Sequence, residues 1–256
     1  MTQQWNRALV TGASSGIGRE IARQLAASGT QLVLVARDKE RLDALAAEVP
    51  TAAEVLVADL STDTGVDAVA TRVADDIAPI DLLVNNAGFG FAGSYPDLDL
   101  ETESNVVAVN VVAVHKLCHA AADALRRRGG GGILNISSLA SSMIAKDSAT
   151  YVASKHFVTA FSESLHVDLA AYDIVVTVAL PGFTRTEFQG RAGIDTSRLP
   201  NRLWQAADDC AAEALEALAA GKARVVTGGV NKAGATLFHL LPPAIMRRIA
   251  AAQPLD

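Results

Sequence analysis

The chain has 256 residues, of which half are apolar and a fifth are charged, so one large α/β domain could bury a sizeable core. A formal net charge of −6 argues against nucleic acid as a partner, because phosphate binding requires a basic surface. Two distant cysteines in helix-like sequence indicate no disulfide framework. No leader pattern is visible, and we expect no membrane-spanning run of ~20 apolar residues, which predicts a soluble cytoplasmic protein.

Short apolar runs rich in β-branched residues alternate with alanine-rich segments of helical periodicity. The runs that we predict to be strands are 8–10, 32–35, 55–58, 82–84, 133–136, 174–179 and 225–226. Strands that are continuously apolar and separated by helices indicate a parallel sheet covered on both faces. We therefore predict an α/β fold of the Rossmann type, with about seven strands in a doubly wound parallel sheet and residues 1–256 as a single domain.

A glycine-rich turn follows the first predicted strand and leads into a helix. Glycine lets the backbone turn sharply and approach a pyrophosphate, which favours the positive N-terminus of a helix. The spacing is G-x-x-x-G-x-G, which differs from the more common G-x-G-x-x-G. The turn predicts a dinucleotide site with these contact residues: Gly12, Ser14, Ser15, Gly16, Ile17 and Gly18.

The end of the second strand bears on the choice of cofactor. An acidic residue there would accept hydrogen bonds from the adenosine ribose and favour NAD(H), but the chain has Ala36 followed by Arg37. A guanidinium can bind a 2′-phosphate through two parallel hydrogen bonds, which predicts NADP(H), with NAD(H) the less favoured alternative. A surface ion pair of Arg37 with Asp38 or Glu40 would explain the same residue without a cofactor.

Two residues after the third predicted strand complete the adenosine end. We predict that Asp59 and Leu60 contact the cofactor, with the Asp59 carboxylate accepting from the adenine amino group. An alternative is that Asp59 caps the next helix.

The long helix predicted over Leu100–Arg128 carries two polar features. Asn110 lies among valines, where either a structural contact or a water in a proton relay would explain it. His115 and His119 lie four residues apart, but no third ligand is close in sequence, so we predict no metal site. Three arginines before Gly129 indicate the C-terminal end of the helix.

A second cluster of polar residues surrounds Tyr151. Lys155 lies one helical turn away on the same face, and its ammonium should lower the pKa of the phenol from ~10. A tyrosine with a lowered pKa suits an acid that protonates a carbonyl oxygen. Ser138 follows the fifth predicted strand and can donate to the same oxygen, although its neighbour Ser137 competes for this role, since only one of them can face the site.

Together these segments resemble the short-chain dehydrogenase/reductase family over roughly residues 7–228. The segments that carry the resemblance are 11–18, 85–88, Asn110, Ser138, 151–155, Pro181, Gly182 and Thr186. The resemblance implies that Tyr151 is the acid/base and that Lys155 lowers its pKa and holds the nicotinamide ribose. It assigns orientation of the substrate oxygen to Ser138 and a relay water to Asn110. The further cofactor contacts that it implies are Asn86, Ala87, Gly88, Tyr151, Lys155, Pro181, Gly182, Thr184 and Thr186.

We therefore expect an oxidoreductase that transfers a hydride between NADP(H) and a small-molecule secondary alcohol or ketone. An apolar substrate is expected from residues that could line its pocket: Phe89, Phe91, Met143, Ile144, Phe183, Phe188 and Trp204. A cofactor-binding regulator without turnover is the alternative, but such a sensor has no need of an acid/base tyrosine. A sugar-nucleotide epimerase or dehydratase fits the length and the glycine spacing less well.

Two regions depart from the alternation of strands and helices. The stretch 183–207 is rich in glycine and proline and is predicted to be a substrate lid. Residues 229–256 form a C-terminal extension, whose apolar residues at helical spacing are Leu237, Phe238, Leu240, Leu241, Ile245 and Ile249. We expect this tail to cover the lid or a partner subunit, with peripheral membrane contact as the alternative. The resemblance implies a homodimer or homotetramer.

Overall fold

A computed structural model describes residues 5–193 and 200–251, with the side chains of 236–240 left out of the description. Seven parallel strands form one sheet in the order β3-β2-β1-β4-β5-β6-β7. The strands are β1 (Arg7–Thr11), β2 (Gln31–Ala36), β3 (Ala53–Val57), β4 (Leu82–Asn85), β5 (Gly131–Ile136), β6 (Ile174–Leu180) and β7 (Arg224–Val226). The order reverses between β1 and β4, and ligands bind at such a reversal in open α/β sheets. The predicted doubly wound sheet is confirmed.

Helices cover both faces of the sheet. In chain order they are α1 (Gly16–Ala27), α2 (Lys39–Glu48), α3 (Asp63–Ala74), α4 (Leu100–Val107), α5 (Val114–Arg128), α6 (Ala149–Leu169), α7 (Phe188–Arg191), α8 (Ala207–Ala219), α9 (Gly229–Leu240) and α10 (Pro243–Ala251). One core lies between the sheet and α1, α2 and α8, and the other between the sheet and α3, α5 and α6. The interior of a central strand such as β1 is apolar at every position, because Ala8 and Val10 are buried in one core and Leu9 in the other.

The third strand begins two residues earlier than predicted and ends one residue earlier. Leu32 pairs with Ala53, and the pairing continues to Ala36 with Val57. As β3 is an edge strand, most of its residues are half-buried or exposed, and the side chain of Val57 is 48% exposed. The hydrophobic pattern alone therefore identified the strand but not its limits.

The helix α4 continues into α5 through a π-helical turn, Ala108–Ala113. The stretch Leu100–Arg128 is long and apolar enough to cross a membrane by length and composition alone. Its apolar face is instead part of the core, where Val109, Leu117 and Leu125 are buried against the sheet. Gly129 ends the helix with a φ of 86°, as the basic run predicted.

Backbone hydrogen bonds join the two ends of the predicted lid. Thr184 and Gln205 form an isolated parallel bridge in which Arg185 N donates to Gln205 O at 2.9 Å and Gln205 N to Phe183 O at 2.8 Å. The lid contains α7 and a 3₁₀ turn, Asn201–Leu203, while 194–199 lie outside the described residues.

The C-terminal extension forms two helices that are separated at Pro242, because proline removes a backbone donor and interrupts a helix. α9 packs against β7, the 201–203 turn of the lid and the turn Leu139–Ser142. The extension therefore lies against the lid of its own subunit. Ile245 and Ile249 of α10 are exposed, and the side chains of Leu237, Phe238 and Leu240 lie outside the described residues.

Candidate active site

The glycine-rich turn after β1 and the segment after β4 form the floor of a cleft. Gly12 has a φ of 65°, and a Cβ atom there would lie 2.7 Å from Nδ2 of Asn86. That amide nitrogen donates to Thr11 O at 2.9 Å and to Gly12 O at 3.2 Å, so Asn86 fastens the two loops together. Gly18 is equally confined, since its Cβ would lie 2.2 Å from the same nitrogen. The floor is thus bare backbone, which suits a pyrophosphate that must approach closely.

The N-terminus of α1 opens onto this floor. Ser15 is the N-cap, and its side chain makes no capping hydrogen bond, so the first-turn N–H groups remain available to a ligand. On the opposite side Thr186 lies next to Gly16, since a Cβ atom on Gly16 would lie 3.0 Å from Cγ2 of Thr186. The predicted contacts Gly12, Ser14, Gly16 and Thr186 therefore share one cavity, of about 1040 Å³. These residues fit a dinucleotide whose phosphates lie at the helix end.

Arg37 extends into solvent at the adenosine end of the cleft. Its side chain is 74% exposed, and the nearest carboxylate in the described chain is Asp59, at 3.9 Å. Asp38 pairs with Arg41 instead and accepts from its backbone N–H at 3.0 Å as the cap of α2. The guanidinium of Arg37 is therefore not held by a close ion pair with its neighbours, and it is free to bind an anion.

Asp59 does not cap the next helix, which corrects one of the two alternatives for this residue. Its Oδ1 accepts from N and Oγ of Ser61, at 2.9 and 2.8 Å, while Thr62 caps α3. Asp59 and Leu60 both line the cleft. The second carboxylate oxygen of Asp59 is the one that lies nearest to Arg37.

Ser138 and Tyr151 meet at the carboxyl end of β5, in the middle of the same cavity. Ser137 points the other way, where its hydroxyl donates to Lys155 O at 2.9 Å and lies 2.7 Å from that of Thr159. This leaves Ser138 as the serine on the cleft side, in hydrogen-bonding reach of the phenol of Tyr151. The alternation of side chains along an extended segment explains why only one of them faces the cleft.

The pKa of the phenol differs from the expectation. Burial raises the pKa of Tyr151, and the hydrogen bond with Ser138 offsets this only in part. Lys155 does not lower it, because its Nζ lies 5.8 Å from the ring centroid and donates to Ile136 O at 3.1 Å. Burial lowers the pKa of Lys155 itself to about 8. The prediction that spacing on one helical face brings down the tyrosine pKa is wrong for this geometry.

Asn110 lies in the π-helical turn and is buried. Its Oδ1 accepts from Phe89 N at 3.1 Å, and its Nδ2 donates to Phe89 O at 2.8 Å and to Ser154 Oγ at 3.0 Å. The side-chain amide thus joins the loop after β4 to α6, which is the structural contact that the sequence left open as one explanation of Asn110. π-Helical turns inside α-helices are frequent at functional sites.

Gly88 completes this junction. A Cβ atom there would lie 3.1 Å from both Oδ1 of Asn110 and Nζ of Lys155. The predicted residues Gly88, Asn110 and Lys155 therefore converge on one point although they come from three separate segments.

Two residues that surround the tyrosine ring were not predicted as such. A Cβ atom on Gly90 would lie 2.5 Å from Cδ2 of Tyr151, so only glycine fits beneath the ring. On the lid side the ring of Phe188 lies 5.5 Å from that of Tyr151, centroid to centroid. The alternation of glycine and phenylalanine over 88–91 is visible in the sequence, but it does not show that Gly90 lies beneath the ring of Tyr151, because the position of that ring is known only from the fold.

The expected apolar lining is only partly assembled. Phe89, Phe91, Met143, Phe183 and Phe188 line the cavity beside Tyr151. Trp204 does not line it, because it packs against Phe183 at 5.8 Å and against the guanidinium of Arg185 at 5.4 Å. Ile144 is 38% exposed and also lies outside the lining.

The C-terminal extension supports the loop after β6. A Cβ atom on Gly182 would lie 2.3 Å from the side-chain amide of Asn231 on α9, which is buried and donates to Thr227 O at 2.9 Å. Glu213 of α8 joins the end of the lid segment, the turn after β7 and α9. It accepts hydrogen bonds from Gln205 Nε2 at 2.9 Å, Gly228 N at 3.0 Å and Lys232 Nζ at 2.7 Å. The Pro181–Gly182 backbone is therefore packed from behind by residues that lie outside the recognised motifs.

Comparison with known proteins agrees with this geometry. Residues 6–196 match the family model described as short chain dehydrogenase. The chain belongs to the short-chain dehydrogenase family. An uncharacterized oxidoreductase of Staphylococcus epidermidis is 34% identical over 179 residues, which cover 70% of this chain and 78% of that protein. The predictions of the family and of an oxidoreductase are confirmed.

Two solved dehydrogenase structures resemble nearly the whole chain. A short-chain dehydrogenase from Sphingobium yanoikuyae in complex with NADPH has a TM-score of 0.83 at 34% identity, covering 98% of this chain and 99% of its own. A bulky-bulky ketone specific alcohol dehydrogenase from Comamonas testosteroni has a TM-score of 0.79 at 30% identity, covering 94% and 97%. Because the match to the Sphingobium structure covers 98% of this chain, it includes the C-terminal extension.

Proposed function

We propose that this short-chain dehydrogenase transfers a hydride between NADP(H) and a secondary alcohol or ketone, with Tyr151 as acid/base. The observation that carries the proposal is the convergence of Ser138, Tyr151 and Lys155 on the cavity whose far end is the glycine floor. A regulator that only binds a cofactor would have no use for a buried phenol and ammonium beside that cavity, because burying both groups is costly.

The structure around Arg37 supports NADP(H) over NAD(H). With alanine at position 36, the end of β2 offers no carboxylate to the ribose hydroxyls, and the Arg37 guanidinium is free of a close ion pair. The NADPH complex of the Sphingobium relative favours the same choice. Residues that would hold the phosphates are Gly12, Ser15 and Gly16, at the N-terminus of α1.

The protein residues would move one proton at the substrate oxygen. Because burial raises the pKa of Tyr151, the phenol is protonated at neutral pH and can give its proton to a ketone oxygen. Ser138 donates a hydrogen bond to the same oxygen as negative charge develops there. The hydrogen bond with Ser138 stabilises the phenolate that remains, while Lys155, whose ammonium donates to Ile136 O, would contact the nicotinamide ribose. A bound nicotinamide cofactor supplies the hydride.

The decisive experiment is NADPH oxidation with a panel of apolar ketones, with Tyr151→Phe as the test variant. Loss of the transferable proton should reduce kcat by about 10²- to 10⁴-fold, because general acid catalysis contributes that much. The dissociation constant for NADPH should stay within about twofold, since the ring still packs against Phe188. Turnover of Tyr151→Phe close to that of the wild type, or no turnover of any ketone by the wild type, would refute the proposal.

A further inference from the structure

The part of the cavity that lies beside Tyr151, away from the glycine floor, is enclosed by three segments joined through their backbones. Ala92 N donates to Ala192 O of the lid at 3.1 Å, and Gly93 N donates to Asp147 O at 2.8 Å. The loop after β4 is therefore bonded both to the lid and to the segment between Ser138 and Tyr151. The backbone of these walls is therefore held together before any substrate arrives, which lowers the cost of ordering it on binding.

One of these side chains is a lysine. Lys146 lines the cavity and is half-buried, while its neighbour Asp147 does not line it. Asp147 has a φ of 58°, a left-handed conformation that aspartate adopts more readily than most residues. This turn separates the two charges, so that the cation lies on the cavity wall and the carboxylate does not.

Lys146 has no counter-ion among the residues that the structure describes. It makes no ion pair or hydrogen bond in the described part of the chain, unlike the exposed Lys39 and Lys116, which pair with carboxylates at 2.6 and 2.7 Å. A half-buried ammonium loses part of its hydration, and an anion placed beside it restores the lost interaction.

Among the described residues, the carboxylate that lines the cavity from the lid segment already has partners. Glu187 accepts two hydrogen bonds from Arg41 Nη1, at 3.0 and 2.9 Å, and also pairs with Arg191. These partners hold the pKa of Glu187 below its usual range, the hydrogen bond with Arg41 above all. Arg191 is thus compensated by Glu187, whereas Lys146 adds a positive charge to the cavity that no described carboxylate offsets, in a protein with a net charge of −6.

We propose that the substrate is an apolar carbonyl compound that carries a carboxylate, and that Lys146 binds that carboxylate. The proposal rests on the function proposed above and adds the class of substrate. Between Tyr151 and the lysine the lining is apolar, with Phe89, Phe91 and Met143, so the body of the molecule would lie there. The carboxylate sets the orientation of the substrate, and the carbonyl then reaches Ser138 and Tyr151.

Binding can be tested without any turnover. The probes are phenylbutanoate, phenylhexanoate and phenyloctanoate, each compared with its primary amide by titration calorimetry on the protein saturated with NADPH and on the protein alone. Lys146→Met removes the cation, Lys146→Arg keeps it, and Lys222→Met is the matched control, because Lys222 is exposed and does not line the cavity. Ketones of the same carbon skeletons, as acids and amides, provide the turnover measurement.

In the wild type we expect at least one acid to bind about tenfold more tightly than its amide, as a charge-assisted hydrogen bond would give. The preference should persist in Lys146→Arg and Lys222→Met and fall to about twofold or less in Lys146→Met. Equal binding of acids and amides by the wild type overturns the proposal, as does a preference that survives in Lys146→Met or a series in which no acid binds. If the preference depends on Lys146 but no ketone is reduced, the carboxylate site stands and the proposed reduction of ketones fails.

Discussion

Gly90 offers a sharp test at the scale of single residues. Gly90→Ala places a methyl group 2.5 Å from Cδ2 and 2.7 Å from Cγ of Tyr151, so the ring must move. A displacement of about an ångström in a catalytic group can cost 10²-fold in rate, and we expect kcat to fall by roughly that factor. The affinity for the cofactor should be retained, because Gly90 lies beneath the tyrosine and not on the glycine floor. Steady-state kinetics and NADPH titration measure the two effects.

The matched control for Gly90→Ala is Gly190→Ala in the lid. Apart from its own helix backbone and chain neighbours, no heavy atom of the described residues lies within 4 Å of the position that its Cβ would take. This variant should keep kcat within about twofold of the wild type. Equal losses in the two variants would mean that the Gly90 effect reflects general damage and not contact with the Tyr151 ring.

A second test at this scale concerns the choice of cofactor. The double variant Ala36→Asp, Arg37→Ala removes the guanidinium and places a carboxylate where ribose hydroxyls would lie, which repels a 2′-phosphate. The ratio of kcat/KM for NADPH to that for NADH should fall by about 10²-fold, as loss of a charge-assisted pair and gain of a repulsion would give. A wild type that already prefers NADH would show that our interpretation of Arg37 is wrong.

Which residues come together could be predicted from the sequence, but how they interact could not. Tyr151 and Lys155 share a helical face, and Ser138 follows a strand whose end meets the same edge of the sheet. Spacing carries that information. The pKa of Tyr151 depends instead on burial and on the direction of the Lys155 ammonium toward Ile136 O, and both are set by residues far away in sequence. The fit of Gly90 beneath the ring has the same origin.

At the scale of elements, α9 is the least expected contributor to the site. Asn231→Ala removes the amide that packs against Gly182 and leaves a gap behind the loop after β6. We expect the KM for the cofactor to rise several-fold while the melting temperature changes by only a few degrees, because one buried hydrogen bond contributes about 1 kcal/mol. Initial rates at varied NADPH and thermal unfolding give the two readings.

Removal of α10 is the control for Asn231→Ala. A chain that ends at Leu241 keeps all of α9 and should keep the cofactor KM within about twofold. Because α10 carries the exposed Ile245 and Ile249, sedimentation of both forms checks that its removal leaves the assembly state unchanged. If loss of α10 raises the KM as much as Asn231→Ala does, the extension acts as a whole and not through Asn231.

Elements were easier to predict than their junctions. Each strand of the sheet was visible as an apolar run, because central strands are buried on both faces. The lid was visible only as a break in that rhythm over 183–207. Its closure depends on the pairing of Thr184 with Gln205, which join two positions twenty-one residues apart without a hydrophobic pattern to mark them.

Over the whole molecule, the burial of Lys155 should lower the free energy of unfolding. Lys155→Met removes an ammonium whose pKa burial lowers from 10.5 to about 8. That shift corresponds to roughly 3 kcal/mol, and loss of the hydrogen bond to Ile136 O offsets about 1 kcal/mol of it. We therefore expect the inactive variant to be about 2 kcal/mol more stable than the wild type at pH 7, as urea unfolding without cofactor would measure.

The pH dependence distinguishes this effect from better packing of methionine. In the wild type the unfolded chain holds the Lys155 proton up to its ordinary pKa of 10.5, whereas the folded protein releases it near pH 8. Below pH 8 Lys155 is protonated in both states, so the full cost of burying its ammonium is present. Between pH 8 and 10.5 the unfolded state binds more protons than the folded state, so the stability of the wild type rises with pH relative to that of Lys155→Met. The advantage of the variant should therefore shrink from pH 8 upward, while the exposed control Lys222→Met shows no such trend. If Lys155→Met is more stable than the wild type by the same amount from pH 7 to pH 10, its added stability comes from packing of the methionine. If it is less stable than the wild type at pH 7, the polar groups around the buried ammonium compensate for its burial.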